Sequence, residues 1–531
     1  MAGDGSQDGD HAPIVANRKI AMYSDKENIN ILTALLVKHG IRHAVVCPGS
    51  RNAPVVHNLN ECPAIACHPV TDERSAGFYA LGMCQALKEP VVVCVTSGTA
   101  LLNLLPAVAE AFYQHQPLVV VSADRPAQWI DQLDGQTLPQ PDALGRFVAR
   151  AVSLPEPATD EERWFCNRLV NEALMVGHAP VHINVPVSEP LFGFRTKELP
   201  DERMIEYTPA DLSTATLNHV CRMFLHAKRP MLIAGQPLNA LMDEAVLAVQ
   251  DDASYVPDFV LYTGGSIVSK RLKHFLRKAG ETWAVNRTGE VNDTFMNLTR
   301  IIQGDGEVVA DMIRFNLEQQ PHPFVRKWEE LLARIRQQTR AYEPPFSQMA
   351  AVKYFEERRG TAVVHYANSM SVRLANIYSR QPVFCNRGVN GIEGSLSTAA
   401  GFSVVSGERV FCVIGDLSFF YDQNALWNQH LTGSLRILLL NNGKGAIFDM
   451  LPGLEQSPAR NPYVAAGHRT TAEGICRQCA VGYRQAVTLE QMQQGIDWLV
   501  TTESEHPLLL EVLTDAAADV QAYKTWLNLS I

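Results

Sequence analysis

The sequence predicts an α/β protein built from three doubly wound, mostly parallel sheets. Near-continuous apolar runs such as Val91 to Val95 and Leu118 to Val121 read as strands buried on both faces, the habit of parallel sheets. The stretch from Phe411 to Phe448 reads as strand, helix, strand. Phe411 to Ile414 leads into Gly415-Asp416, Gln423 to Leu431 reads as the helix, and Ile437 to Leu440 leads into Asn441-Asn442. Parallel pairing needs such a crossover, and sheets of this kind bind ligands beyond the carboxyl ends of their strands. Finally, 531 residues with 46% hydrophobic content suffice for about three domains with cores of their own.

Residues 1–23 are expected to be a disordered leader, polar and without a hydrophobic signal core, with Met22 as a candidate natural start. The first domain, 24–195, opens with a helix from Glu27 to His39. The strand His43 to Cys47 then ends in Pro48-Gly49-Ser50-Arg51. A strand near Ile65 to His68 leads to Thr71-Asp72-Glu73-Arg74 and a helix through Leu87. Val91 to Val95 opens into Thr96-Ser97-Gly98-Thr99, and Leu118 to Val121 ends in Ser122-Ala123-Asp124-Arg125-Pro126. Small or charged residues stand at every strand end, so one edge of this sheet is chemically loaded. Singly these loops stay ambiguous: Gly98 also reads as a helix-entry turn, and Asp72 and Glu73 as acids favouring the positive end of a helix.

The second domain, 205–344, has apolar strands such as Met231 to Ala234 and Trp283 to Val285, and leaves through Pro344-Pro345. No Gly-x-Gly-x-x-Gly follows a strand, which argues against bound NAD or FAD. Gly264-Gly265-Ser266 precedes Lys270-Arg271, a pair that also reads as a solvated helix face. The third domain, 346–531, begins with a strand from Ala362 to His365, ending in Asn368-Ser369 with Arg373 on the next helix. A strand from Val383 to Cys385 ends in Asn386-Arg387-Gly388 and continues to Gly391-Ile392-Glu393-Gly394. Ser395 to Gly401 reads as a helix of small residues that packs closely.

Composition narrows the function. A formal charge of −10 argues against a nucleic-acid partner and leaves any anionic substrate dependent on local basic residues. No apolar run approaches the ~18 residues of a membrane span. The eleven cysteines are scattered, several inside apolar strands (Cys47, Cys94, Cys412), as buried thiols of a reducing compartment are, so the expected location is the cytoplasm. Cys476-x-x-Cys479 is a lone pair without a second half-site.

Asp416 and Asn442 stand at the ends of the two opening strands. A carboxylate, a side-chain carbonyl and a nearby backbone carbonyl suit Mg²⁺ while leaving positions for phosphate oxygens. Gly415 and Gly443-Lys444-Gly445 let backbone approach a diphosphate closely. On these residues alone, an ordinary turn with polar strand ends remains open.

Gly-Asp followed 26 positions later by the second of two asparagines resembles the diphosphate motif of thiamine-diphosphate (ThDP) enzymes, with Gly-Asp-Leu in place of the commoner Gly-Asp-Gly. The ordered set Pro-Gly-Ser-Arg, Asp-Glu-Arg, Thr-Ser-Gly-Thr, Ala-Asp-Arg-Pro, Asn-Arg-Gly and Gly-Ile-Glu-Gly is similar, more narrowly, to one family. That family is the 2-succinyl-5-enolpyruvyl-6-hydroxy-3-cyclohexene-1-carboxylate synthases of menaquinone biosynthesis, and the resemblance runs from about Ser24 to the C-terminus.

The resemblance implies ThDP with Mg²⁺ or Mn²⁺, the metal held by Asp416, Asn442 and the Lys444 carbonyl. It makes Glu73 the partner of the pyrimidine, its pKa raised by an apolar setting, and Ile392 the apolar wedge beneath the cofactor, although Ile392 also reads as a core isoleucine. Pro48, Thr96, Gly98, Gly415, Leu417, Ser418, Ile447 and Phe448 would line the cofactor. The implied donor is 2-oxoglutarate, held by Ser369, Arg373 and Arg387. The implied acceptor is isochorismate, held by Ser50, Arg51, Arg125, Gln136, Lys270 and Arg271, since arginine forks suit carboxylates. Gly135 stands where the family often has Asn. The implied reaction is decarboxylation followed by 1,4-addition of the succinyl-semialdehyde carbanion, in a homodimer or dimer of dimers with sites shared between chains. Two alternatives stay open: another ThDP-dependent decarboxylase or acetolactate-synthase-like carboligase, and a non-catalytic ThDP-binding protein.

Overall fold

The computed structural model describes residues 22–205, 212–235, 241–451 and 453–529. The expected leader lies outside these up to residue 21. Tyr23, its last residue, is part of the fold: it is buried and forms an antiparallel bridge with Thr196.

Three sheets form, and every strand pair in them is parallel. The first holds β1 (His43–Val46), β2 (Ala66–Pro69), β3 (Val91–Val95), β4 (Leu118–Asp124), β5 (Arg150–Ser153) and β6 (Val181–Pro186), in the order β2-β1-β3-β4-β6-β5. The second holds β7 (Pro230–Gly235), β8 (Phe259–Gly265), β9 (Glu281–Asn286) and β10 (Leu298–Gln303), in the order β10-β9-β8-β7. In the third, β11 (Val363–Tyr366), β12 (Val410–Gly415), β13 (Leu435–Asn441), β14 (Gly482–Ala486) and β15 (Leu508–Leu513) take the order β11-β12-β13-β15-β14.

Two sequence expectations are corrected. Val383 to Cys385 is not a strand but a single parallel bridge from Phe384 to His365. Pro382 brings no amide hydrogen to a ladder there, and pairing stops at Asn386, whose side chain binds Thr398 Oγ1 at 3.0 Å. Counting that bridge, the third sheet repeats the segment order of the first. The second correction concerns the crossover from β12. Its helix starts at Asp416 itself (Asp416–Tyr421) and is followed by a 3₁₀ turn, Gln423–Trp427, rather than a helix from Gln423 to Leu431. Asp422 causes the break: its buried carboxylate accepts Ser397 N and Ser397 Oγ, each at 2.7 Å, and pins the chain there.

The apolar runs divide by alternation. Val45, Val91, Val93, Val95, Leu118 and Val120 face one core, and Ala44, Val46, Val92, Cys94, Val119 and Val121 face another. The first of these cores also takes Cys412, Ile414, Ile437 and Leu439 of the third sheet. The opposite face of that sheet, Phe411, Val413, Leu438 and Leu440, shares its core with Val260 and Tyr262 of the second. The third sheet therefore lies between the other two.

Helices α1 (Glu73–Leu87) and α2 (Ser395–Val405) join the first and third sheets and cross almost backbone to backbone. A Cβ on Gly82 would overlap the Thr398 carbonyl, and one on Gly401 the Tyr79 carbonyl. Small residues allow the approach, and the buried Ser75 and Ser397 hydroxyls bond across it at 2.9 Å. Gly401→Val forces backbone apart at this crossing. It is expected to cost about 1–3 kcal/mol, read as a lower midpoint in urea unfolding; an unchanged midpoint rejects the packing argument.

Candidate active site

The carboxyl ends of β12 and β13 are adjacent, with Gly415 paired to Leu440, so Asp416 and the Asn441-Asn442-Gly443 turn meet. Asp416 is buried. Its Oδ1 accepts Leu417 N at 2.7 Å, and its Oδ2 accepts Gly443 N at 2.8 Å and Asn442 N at 3.2 Å. Burial raises its pKa, opposed by these amides and by His468. Gly443 sits at φ +76° to make the turn, and a side chain there would meet the His468 carbonyl.

Asn442 is oriented from behind. Its Nδ2 donates to Asp519 Oδ2 at 2.8 Å, which fixes the amide so that Oδ1 points away from Asp519. Asp519, on the helix Ala516–Leu529, also accepts Gln348 N at 2.8 Å and Thr514 Oγ1 at 2.7 Å. Asp416, Asn442 Oδ1 and the Lys444 carbonyl are hard oxygen donors on two neighbouring strand ends, a set that fits Mg²⁺ or Mn²⁺. No group of three or more His, Cys, Asp or Glu among the described residues could hold a metal, so a cation here would depend on amide and carbonyl oxygens. A Cβ on Gly415 would meet nothing within 4 Å among the described residues, so the backbone is open to a ligand on that side of Gly415. Ile447 and Phe448 lie half-buried on the 3₁₀ turn Ala446–Met450.

Ile392 is 41% exposed, which excludes the reading as an ordinary core residue. Its carbonyl accepts the Ser418 hydroxyl, tying it to the Asp416 turn.

Beside them, the ends of β11 and of the Phe384 bridge carry Ser369, Arg373 and Arg387. Asn368 organises this corner: its Nδ2 donates to the Asn386 and Gly391 carbonyls, each at 2.7 Å, and its Oδ1 accepts Arg387 Nη1 at 3.0 Å. Burial holds the Arg387 pKa below its usual value, and nearby Arg373 adds to this. Arg387 Nε is buried and has no hydrogen-bond partner among the described residues. Ser369, at φ +74° and ψ −127°, occupies a region normally left to glycine, a strain on the order of 1–3 kcal/mol. The Arg387 loop is anchored from the first sheet, where buried Glu110 accepts Gly388 N at 2.7 Å and Val389 N at 2.6 Å.

The first sheet presents its own carboxyl edge. Glu73 opens α1, half-buried, and accepts Asn103 Nδ2 at 3.3 Å. Its neighbours reach the third sheet: Asp72 accepts Asn424 Nδ2 at 2.7 Å, and Arg74 donates to the Tyr421 carbonyl at 2.9 Å. Pro48, Gly49 and Ser50 are exposed, and Gly49 packs on Thr96 so closely that a Cβ would overlap it. Gly98, at φ +86°, lies against the Gln136 backbone, where a Cβ would come within 3.2 Å. The 126–140 loop thus folds back over the end of β3, and Gln136 is exposed on it.

Three expected substrate cations already carry a carboxylate. Arg51 is buried, donates to the Val187 carbonyl at 2.9 Å and pairs with Glu189 at 3.1 Å; a buried guanidinium must place its N–H groups somewhere. Arg125 pairs with Asp134 at 2.7 Å, and Arg271 with Asp243 at 3.3 Å. Lys270, Arg373 and Arg387 have no such partner among the described residues. Lys273, one turn beyond Lys270, has its pKa lowered by burial and then by Arg387, which brings the second sheet to the Arg387 corner.

Sequence reading missed Glu110, Asn368, Asp519, Lys273 and His468 as site residues. Glu110 left a signal, being an acid on the buried face of the apolar helix Leu105–Tyr113. Asp519 left a weaker one among small residues, and His468 none.

The chain matches the model of the thiamine pyrophosphate enzyme N-terminal TPP-binding domain over residues 29–144, the span that holds Pro48, Glu73, Thr96 and Gly98. A 2-succinyl-5-enolpyruvyl-6-hydroxy-3-cyclohexene-1-carboxylate synthase of Bacteroides fragilis is 42% identical over 554 residues, covering 95% of this chain and 99% of the relative. Synthases of the same name from Bacteroides thetaiotaomicron and Phocaeicola vulgatus are each 41% identical, covering 95% and 94% of this chain and 99% and 97% of their own. The chain belongs to the 2-succinyl-5-enolpyruvyl-6-hydroxy-3-cyclohexene-1-carboxylate synthase family. Like the other members of this synthase family it is a ThDP enzyme, and its fold agrees. The Rhodococcus jostii RHA1 thiamine diphosphate-dependent 4-hydroxybenzoylformate decarboxylase superposes with a TM-score of 0.69 at 16% identity, covering 92% of this chain and 99% of that one. No helix among the described residues is long and apolar enough to cross a membrane.

Behind the Arg271 pair lies Glu244, 1% exposed, with Oε2 unbonded among the described residues. Burial, then Asp243, pushes its pKa up to about 8. The folded chain keeps a proton that an unfolded glutamate releases, so this group's contribution to stability falls as pH rises from the ordinary glutamate range to about 8. The slope is at most about 1.4 kcal/mol per pH unit. Glu244→Gln is expected to remove that slope in urea unfolding across this range; identical pH profiles would reject the buried neutral carboxyl.

Proposed function

We propose that the protein decarboxylates 2-oxoglutarate with ThDP and Mg²⁺ or Mn²⁺. It then adds the succinyl-semialdehyde carbanion 1,4 to isochorismate, giving 2-succinyl-5-enolpyruvyl-6-hydroxy-3-cyclohexene-1-carboxylate and CO₂ for menaquinone biosynthesis in the cytoplasm. The observation that carries the reading is the junction of Asp416, Asn442 and Lys444 with exposed Ile392 and the under-paired Arg373–Arg387 corner, in a chain of this family. When bound, ThDP supplies the electron sink that decarboxylation of a 2-oxo acid needs.

The protein's part is placement and charge. Asp416, Asn442 Oδ1 and the Lys444 carbonyl would hold the cation, and the glycines at 415 and 443 would let a diphosphate lie against backbone. Leu417, Ser418, Ile447, Phe448, Pro48, Thr96, Gly98 and Ile392 would line the cofactor. Glu73 would be the acid partner of its pyrimidine, able to share a proton there. Ser369, Arg373 and Arg387 take the donor carboxylates. Half-buried Arg387 does so at least cost, because its charge is already partly desolvated and its Nε lacks an acceptor among the described residues. Ser50, Arg51, Arg125, Gln136, Lys270 and Arg271 face the acceptor. For Arg51, Arg125 and Arg271 this means sharing the guanidinium with a resident carboxylate.

The domains are taken as 24–195 for the pyrimidine, 205–344 as the central unit and 346–531 for the diphosphate. The active unit is a homodimer or dimer of dimers, with Glu73 and Asp416 of one site contributed by different chains.

Purified protein with ThDP and Mg²⁺ should consume 2-oxoglutarate and isochorismate together and release CO₂. Preference for pyruvate as donor would overturn the substrate assignment in favour of another ThDP carboligase. Arg387→Ala should weaken 2-oxoglutarate by about 1.5–3 kcal/mol through loss of a charge-assisted contact; an unchanged apparent affinity would remove Arg387 from the donor site.

A further inference from the structure

The helix Leu105–Tyr113 of the first domain is apolar except for Glu110, which is 3% exposed. A carboxylate at that depth stands only with its hydrogen bonds made. Oε1 accepts Gly388 N at 2.7 Å and Gln114 Nε2 at 2.5 Å, and Oε2 accepts Val389 N at 2.6 Å. No ion pair joins these bonds among the described residues. Gln114 is held in turn by Gln85 of α1, whose Nε2 donates to Gln114 Oε1 at 2.8 Å. Gly388 lets the loop come this close: a Cβ there would lie 2.7 Å from the Glu110 carbonyl and 3.0 Å from Tyr113 Cβ.

The Gly388 amide belongs to the peptide bond that leaves Arg387, so Glu110 fixes that bond. The peptide bond that enters Arg387 is fixed as well, since the Asn386 carbonyl accepts Asn368 Nδ2 at 2.7 Å. Both flanks of one arginine are therefore pinned by side chains, one from the third domain and one from the first. Resting on the reading of Arg387 as a ligand of the donor carboxylate, we propose that Glu110 is a positioning residue for the 2-oxoglutarate site. It fixes the Arg387 backbone from the first domain, so that the guanidinium meets the donor in one orientation. Charge and placement act here in opposite senses. A negative charge near the site repels a dianion, so a role through charge alone predicts tighter donor binding once that charge is removed, whereas a role through placement predicts weaker binding.

The test is steady-state kinetics with 2-oxoglutarate, isochorismate, ThDP and Mg²⁺ in a double-mutant cycle of Glu110→Gln and Arg387→Ala. Glu110→Gln keeps the shape of the side chain but turns an NH₂ group toward one of the two loop amides. It should raise KM for 2-oxoglutarate by about 10-fold, no more than the loss of Arg387 itself does, and leave kcat within about threefold. In the Arg387→Ala background the same change should leave that KM within about twofold, because no guanidinium remains to be placed. An unchanged or lower KM in Glu110→Gln overturns the assignment. An equal rise in both backgrounds overturns it too, since that marks a general loosening of the fold. Arg387→Ala with an unchanged KM removes the donor reading of Arg387, and this assignment with it. Where Glu110→Gln does not fold, Gln114→Leu removes only the bond that steadies Oε1; it should raise KM by about threefold and is judged by the same cycle.

Discussion

The backbone contact between Glu73–Leu87 and Ser395–Val405 is the constraint on which the rest of the molecule depends. The two contacts, Gly82 on Thr398 and Gly401 on Tyr79, exchange when the helices are exchanged, so the pair crosses as matched halves. Neither helix can slide without replacing a glycine at the contact by a residue whose Cβ meets the partner's carbonyl. Each begins at a chemically loaded loop: one at Glu73, the other at the Ile392-Glu393-Gly394 turn, where Gly394 sits at φ +75° against the Phe78 ring. Fixing the crossing therefore fixes the spacing of the two carboxyl edges. Asp422 reinforces it from the third sheet; burial pushes its carboxyl up to about 6 even though Ser397 donates to it twice.

The loaded edge of the first sheet needs its own support, because small and charged residues at strand ends cannot stabilise themselves by burial. Gln140 supplies part of it. Its Oε1 accepts Gly98 N at 2.7 Å, and its Nε2 donates to the Ala123 carbonyl at 3.0 Å and to Asn184 Oδ1 at 2.8 Å. Asn184 in turn donates to Asp124 Oδ2 at 2.9 Å. A buried polar network with its bonds made holds a loop as firmly as apolar packing would, and it leaves the loop's outer face free.

Most of the fold was legible in the sequence because parallel strands buried on both faces leave continuous apolar runs. Val91 to Val95 and Leu118 to Val121 reported themselves in this way, and so did the small-residue helix at Ser395. The Asp416 crossover was misjudged because its helix is set by a distant partner: no local pattern says that Asp422 will be taken by Ser397. The motif residues Asp416, Asn442, Glu73 and Arg387 stood out by residue type at strand ends. Their supports did not, since Glu110 and Asp519 act across 278 and 77 residues of chain and carry no spacing signature. The state of the cations was equally hidden. Nothing in the sequence distinguishes Arg51, turned inward to Val187 and Glu189, from Arg387, which keeps a buried N–H without a partner among the described residues.

Asp519 lies on a helix that follows every strand of the three sheets, yet with the Lys444 amide, which approaches Oδ1 at 3.4 Å, it fixes which end of the Asn442 amide faces outward. A growing chain therefore possesses Asp416, Asn442 and Lys444 well before it possesses the residue that sets one of them in order. The orientation of the Asn442 amide thus depends on a helix packed from 77 residues further along the chain, so the two strand ends that carry the oxygen donors do not complete this corner by themselves.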